Sequence, residues 1–190
     1  NGAAARKGAH IAIAALDLLR RDYSDAMLYI AGEDPRTLSP RRIKRYVGYP
    51  VYLLHLIQKL GLERHVVFTG VLDEQAMAAR MAEAHVCLMS SIIENSPNTL
   101  GEAMLIGAPV VSAACGGAPS MAQDEQEALF YRPEDPAMLA FQVRRIFEDP
   151  HLAARLGQAA RQRALETHDP DRNLADLIRA YDAILAQDPA

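Results

Sequence analysis

From Val86 to Ser112 the chain reads Val86-Cys-Leu-Met-Ser-Ser-Ile-Ile-Glu94-Asn-Ser-Pro-Asn-Thr-Leu-Gly-Glu102-Ala-Met-Leu-Ile-Gly-Ala-Pro-Val-Val-Ser112. Val86 to Met89 is a short apolar run, and its length suits a buried strand. A polar loop follows, then a helix near Thr99 to Ile106, then a second strand over Pro109 to Ser112. The same alternation runs outward in both directions. Toward the amino terminus come a helix over Asp73 to Ala82, a strand over Val66 to Phe68, and a helix over Val51 to Leu60 that Gly61 ends. Beyond a stretch punctuated by Pro35, Pro40, Gly48 and Pro50 lies a strand over Met27 to Ala31, stopped by Gly32. The helix before it, from about Lys7 to Arg21, carries apolar residues at helical spacing at Ile11, Ala14, Ala15, Leu18 and Leu19. Toward the carboxyl terminus come a short strand over Leu129 to Tyr131 and a helical remainder from Pro136 to Leu185, broken at Asp149-Pro150 and Asp169-Pro170.

Short continuous apolar strands between amphipathic helices imply a parallel sheet covered on both faces. The expected fold is therefore α/β: a Rossmann-like, doubly wound parallel sheet with helices on both faces. Such sheets bind ligands at the carboxyl ends of their strands. The chain has no internal repeat, and no GxGxxG follows a first strand, so a dinucleotide-binding fold has little support.

Composition narrows the class. With 190 residues the chain can bury a sizeable core as one domain. Its net charge of −4 gives no global case for nucleic acid or a membrane surface. The two cysteines, Cys87 and Cys115, have no metal-ligand spacing, which fits a reducing, cytoplasmic setting. No apolar run reaches the length of a membrane span, and no signal-peptide pattern appears. The first residue is not methionine, so the chain is expected to be a piece of a longer protein.

The loop after Met89 carries the chemistry. Glu94 follows a strand, and Glu102 lies about one turn into the next helix. Asn95, Ser96, Asn98 and Thr99 are helix-start residues, with Pro97 suited to the first turn. A helix N-terminus offers unpaired N–H groups and partial positive charge to a phosphate. The flanking carboxylates are acceptors suited to sugar hydroxyls. One loop thus has the donors and acceptors that a sugar-diphosphate-nucleoside requires. A bland reading stands beside this one: a capped loop in which Glu102 serves only the helix dipole.

The spacing Glu94-x7-Glu102, continued as Glu-Ala-Met-x-x-Gly-x-Pro-Val-Val and then Gly116-Gly117, resembles the E-x7-E signature of retaining GT-B glycosyltransferases of group 1, family 4. The resemblance covers nearly the whole chain. It includes Arg6-Lys7-Gly8, Ile30-Ala31-Gly32, the segment Val66-Val67-Phe68-x-Gly70 and the closing helices. The variant Glu94-Asn-Ser-Pro-Asn98 is similar to members that build bacterial surface polysaccharides. The resemblance implies that residues 1–190 are the carboxyl-terminal, donor-binding half of a GT-B fold, with terminal helices over 165–190. The amino-terminal acceptor domain would lie elsewhere in the same protein.

By the same resemblance Glu94 would bond the donor sugar's hydroxyls and Glu102 the ribose. Ser96 would approach the sugar, while Asn98, Thr99 and Leu100 would offer N–H groups to the diphosphate. Arg6 and Lys7 would meet the diphosphate and, with Glu94, form the catalytic set. Gly32 matches a glycine near the donor cleft, and Val71 and Leu72 match a segment that contacts the base. The chain departs from the commoner Glu-Gly-Phe-Gly start, since Pro97 has no N–H to give. Many members carry a further arginine several residues before Lys7; that position falls near Asn1 and Gly2, neither of which is basic.

The implied reaction transfers a sugar from a nucleotide donor to an acceptor hydroxyl with retention, using no metal and no cofactor. Implied partners are the nucleotide-sugar, the amino-terminal domain and a lipid-linked or saccharide acceptor, with no nucleic acid. The implied setting is the cytoplasm, with the full-length protein peripheral at the inner membrane surface. Alone, the piece would bind without turnover. Two rivals stand: a nucleotide-sugar 2-epimerase of the same fold, and a non-catalytic nucleotide-binding module. Elsewhere, Asp169-Pro170-Asp171 superficially matches a metal-binding DxD but reads as a helix cap. The cluster Arg36, Arg41, Arg42, Lys44 and Arg45 reads as a solvated loop, with anionic lipid as its alternative use. His10 and His168 read as packing or surface residues, and Cys87 as a buried thiol.

Overall fold

The computed structural model describes residues 4–45 and 48–186. Among the described residues five strands, all in parallel pairs, carry the fold: β1 Leu28–Ile30, β2 Val66–Phe68, β3 Cys87–Met89, β4 Val110–Ala113 and β5 Leu129–Tyr131. The helices are α1 Ala9–Leu19, α2 Pro40–Arg45, α3 Tyr49–Lys59, α4 Glu74–Glu83, α5 Asn98–Ile106, α6 Ala118–Met121, α7 Pro136–Glu148, α8 Pro150–Thr167 and α9 Pro170–Leu185.

Strands β4 and β5 alternate their side chains between two covered faces, as a doubly wound sheet requires, whereas Tyr29 of β1 is exposed. Val111, Leu129 and Tyr131 join α1 and α7 in one core cluster, with Leu139, Val143 and Leu156. Val110 and Phe130 point the other way, into a second cluster with Leu100 and Met104 of α5 and Ala160 and Ala164 of α8. Full burial of a residue such as Leu139 contributes about 1.5–3 kcal/mol. The expected single sheet appears as two: β1 pairs with β2, while β3, β4 and β5 pair in that order.

The first helix explains how the two sheets stay together. It begins at Ala9, not Lys7, because Gly8 takes a left-handed conformation after a 3-10 turn over Ala5–Lys7. Its expected single apolar face is also corrected. Ile11, Ala15 and Leu19 pack on the β4–β5 side. Ala9, Ile13 and Leu16 pack on Ile30, Leu53, Ile57 and Val66. Thus α1 is buried on two sides and belongs to both halves of the core, a pattern expected of a helix that is apolar nearly all round. The stretch read only as punctuated holds a 3-10 turn, Pro35–Thr37, which Asp34 caps, and the short α2. The four-residue α6 is an addition to the sequence reading.

Both expected breaks fall where aspartates cap helices. Asp149 ends α7 and accepts bonds from the His151 and Leu152 N–H groups that open α8. Asp169 accepts from Asp171 and Arg172, so the DxD-like triplet is a helix start. No residue of α9 is buried, and its Leu174, Leu177, Ile178, Tyr181, Ile184 and Leu185 are exposed. Among the described residues, no helix is long and apolar enough to cross a membrane.

Candidate functional site

The residues singled out by sequence fall in two groups that follow strand carboxyl ends. Gly32, Val71 and Leu72 come after β1 and β2; Glu94, Ser96, Asn98 and Thr99 come after β3 with Lys7 tied beside them, while Glu102 lies further along α5. After β1 and β2, the Gly32 N–H donates to the Gly70 carbonyl at 2.9 Å, which joins the two strand tips. Val71 follows, 83% exposed, with Leu72 half-buried beside it in the chain. After β3 the chain turns against the segment that precedes α1. The Ile92 N–H donates to the Arg6 carbonyl at 2.8 Å, and the Ser90 hydroxyl to the Lys7 carbonyl at 3.0 Å. Gly8 permits this approach. A Cβ on it would stand 1.8 Å from the Ser90 carbonyl oxygen, and its φ of 67° already favours glycine.

That backbone junction places Lys7 against Glu94. The Lys7 Nζ lies 2.5 Å from Glu94 Oε2, and the Ser91 hydroxyl donates to the same oxygen at 3.1 Å. The two charged side chains are 34% and 17% exposed, so water screens their attraction less than it would a surface pair. The Lys7 ammonium, joined by the Ser91 hydroxyl and the Asn95 N–H, holds the Glu94 carboxyl below the usual carboxylate range against the opposing effect of burial. Arg6 is exposed and makes no ion pair among the described residues.

The start of α5 differs from expectation in an informative way. Pro97 is the N-cap, outside the first turn, and no side chain caps the helix. Leu100 is fully buried and its N–H donates to the Pro97 carbonyl at 2.8 Å, which takes it out of the expected set of free donors. The Asn98 and Thr99 amides have no partner among the described residues. A nine-residue helix therefore begins with two unpaired donors and its positive dipole end unmet. Ser96, Asn98 and Thr99 are exposed. Glu102 is exposed and lies beyond the first turn, where the dipole interaction has faded. Its carboxylate has no hydrogen-bond or ion-pair partner among the described residues.

Other candidates resolve into structure. The His10 ring lies 2.9 Å from the Tyr49 hydroxyl, which also receives the His10 N–H, and burial lowers the imidazole's pKa. His168 packs on Gly101 of α5, where an added Cβ would meet its Nε2 at 2.5 Å. Cys87 is buried, and desolvation pushes its thiol up to about 11. Arg36 is paired with Asp34, and Arg41 and Lys44 are exposed. The side chains of Arg42 and Arg45, like Asn1 and Gly2, lie outside the described residues. Sequence reasoning missed Ser90 and Ser91, and gave no role to Cys115, Gly116 and Gly117. A Gly-Gly pair after a strand was the available signal for the last three.

Comparisons with known proteins bear on the family and the fold. A family model described as glycosyl transferases group 1 matches residues 2–163. The glycogen synthase of Mycobacterium tuberculosis strain H37Rv is 32% identical over 163 residues, which is 86% of this chain and 36% of that protein. A GDP-mannose-dependent alpha-(1-6)-phosphatidylinositol monomannoside mannosyltransferase of Mycolicibacterium smegmatis is 30% identical over 85% of this chain and 41% of its own length. The chain thus spans well under half the length of these curated relatives. Among solved structures, Anabaena HepE in complex with UDP superposes with a TM-score of 0.79 at 25% identity, over 93% of this chain and 46% of that one.

Proposed function

The chain belongs to the group 1 glycosyltransferase family, and on that premise we propose that it binds a nucleoside-diphosphate sugar and presents it for retaining transfer to an acceptor hydroxyl. One observation carries the reading: the Lys7–Glu94 pair stands at the same strand ends as the unpaired Asn98 and Thr99 amides. The names of the relatives favour transfer over the epimerase and the non-catalytic module, since both are transferring enzymes and the structural neighbour was solved with UDP.

In this proposal the diphosphate sits on the start of α5, receiving the Asn98 and Thr99 N–H groups. Lys7 exchanges Glu94 for a phosphate oxygen, with Arg6 as a second cation, and Glu94 is released to a hydroxyl of the sugar. Ser96 stands beside that sugar. Glu102 accepts from the ribose, while Gly32, Val71 and Leu72 flank the nucleoside. During transfer the bond from the anomeric carbon to the diphosphate breaks and charge grows on the leaving oxygen. Fixed donors and cations already in place stabilise that charge without reorganising. No metal or cofactor is invoked for these steps. The acceptor, lipid-linked or saccharide, falls to a domain in the length that the relatives have beyond this match. Two free thiols suit a cytoplasmic setting.

Calorimetry with UDP, GDP, UDP-glucose and GDP-mannose, each with and without chelator, tests the reading. At least one nucleotide should bind, and chelator should not change its affinity. Failure of all four to bind at several millimolar would overturn it.

A further inference from the structure

We propose that Cys115, Gly116 and Gly117, at the end of β4, are a positioning bracket that fixes the Ser91–Asn95 loop and so sets where Glu94 presents its carboxylate. The proposal rests on the reading above only in naming the donor sugar as what Glu94 meets.

Three consecutive residues each address a different part of the loop. The Cys115 Sγ–H donates to the Ser91 carbonyl at 3.2 Å, and Ser91 in turn donates its hydroxyl to Glu94 Oε2 at 3.1 Å. Gly116, at φ 55°, lies so close to Glu94 that a Cβ would stand 1.5 Å from the Glu94 carbonyl oxygen. That obstacle is backbone and cannot swing aside as a flexible side chain would. The Gly117 N–H donates to the Asn95 carbonyl at 2.7 Å, and a Cβ there would fall 2.3 Å from the same oxygen. None of these contacts is needed to pair β4, whose ladder with β5 ends at Ala113 and Tyr131. They tie the loop after β3 to the loop after β4, while Ser90 and Ile92 tie it to the Arg6–Lys7 segment on the other side. Held from two directions, the loop backbone presents the Glu94 carboxylate beside Lys7 in the ligand-free chain.

The test uses Gly116→Ala, with the Glu94 carboxyl titration followed by carbon NMR in the ligand-free chain. In the parent chain Glu94 titrates below the usual carboxylate range. Gly116→Ala should return it toward that range, with circular dichroism still that of a folded domain. Whichever of UDP-glucose or GDP-mannose the parent binds should bind about ten-fold more weakly to the variant, while the free diphosphate keeps its affinity. An unmoved Glu94 titration in folded Gly116→Ala overturns the bracket. If the titration moves but no nucleotide-sugar binds the parent chain, the bracket stands and the functional reading fails. Where Gly116→Ala does not fold, Cys115→Ser and Cys115→Val decide. Serine keeps a donor for the Ser91 carbonyl and should leave Glu94 unchanged, whereas valine should shift it. Identical titrations in the two variants overturn the proposal.

Discussion

Lys7 and Glu94 neutralise each other at 2.5 Å, although the proposed donor would need each of them elsewhere. Their attraction is thus exchanged for new contacts when a ligand arrives. This refines the division of labour between the two glutamates. Glu102→Ala should weaken free UDP or GDP by about ten-fold, the loss of a charge-assisted bond to ribose. Glu94→Ala should not weaken the free diphosphate, because Lys7 is then released to meet it, but should weaken the nucleotide-sugar. Calorimetry on both variants separates the two, and equal losses for the free diphosphate would end the assignment. The pair also makes a statement about acid stability. Glu94 titrates lower folded than unfolded, so its contribution is complete above the ordinary carboxylate pKa and is lost as pH falls through the depressed folded value. Lys7→Met removes the main cause of that shift, so its melting temperature should fall less steeply than the parent's between about pH 5 and pH 3. Loop chemistry and spacing single out Glu94 and Glu102 in the sequence, whereas Lys7 is singled out only by the resemblance of Arg6-Lys7-Gly8 to a family pattern; the structure pairs Lys7 with Glu94. The contact of Gly116 with Glu94 was not legible, because a glycine pair announces a turn without saying which backbone it approaches.

At the scale of elements, sequence reading succeeded where a local signal fixes the outcome. Asp149-Pro150 and Asp169-Pro170 mark true helix starts, since an aspartate cap and a proline in the first turn act within a few residues. It failed where tertiary packing decides. The helical spacing of Ile11, Ala14, Ala15, Leu18 and Leu19 predicts one apolar face for the first helix, yet its Ala9, Ile13 and Leu16 face is buried by β1, β2 and α3, which lie far along the chain. Pro97 suits a first turn but stands just before α5, which begins at Asn98, and the helix start is left without a side-chain cap. The contrast with α8 gives a prediction. Asp149 supplies two bonds to the start of α8 while ending α7, so Asp149→Ala should cost about 1 kcal/mol. For a chain of this size that lowers the melting temperature by roughly 2–4 °C, measurable by calorimetric scanning. An unchanged melt would show that the two helices are set by their packing alone.

Across the whole molecule, short apolar runs between helices announced the parallel, doubly covered architecture. That the strands form two sheets was not legible, because pairing depends on neighbours in space. Burial divides the molecule sharply. Leu139 is wholly enclosed between α7 and the β4–β5 face, and Leu139→Ala should cost about 2–5 kcal/mol. Leu177 on α9 is 53% exposed, and Leu177→Ala should stay within about 0.5 kcal/mol in this chain. Denaturant titration of both variants checks the contrast, and a large loss at Leu177 would mean that α9 is covered in solution. The two-sided burial of α1 has a further consequence, for time rather than for shape. The β1–β2 half shares with the rest of the core mainly the Ala9, Ile13 and Leu16 edge of one helix, so it is the natural unit to open by itself. Amide protons of Leu28 to Ile30 would then exchange with solvent through a cheaper opening than those of Val110 to Ala113. A nucleotide reaching from Gly32 and Val71 to Lys7 would stitch the two halves together and slow the faster clock toward the slower one.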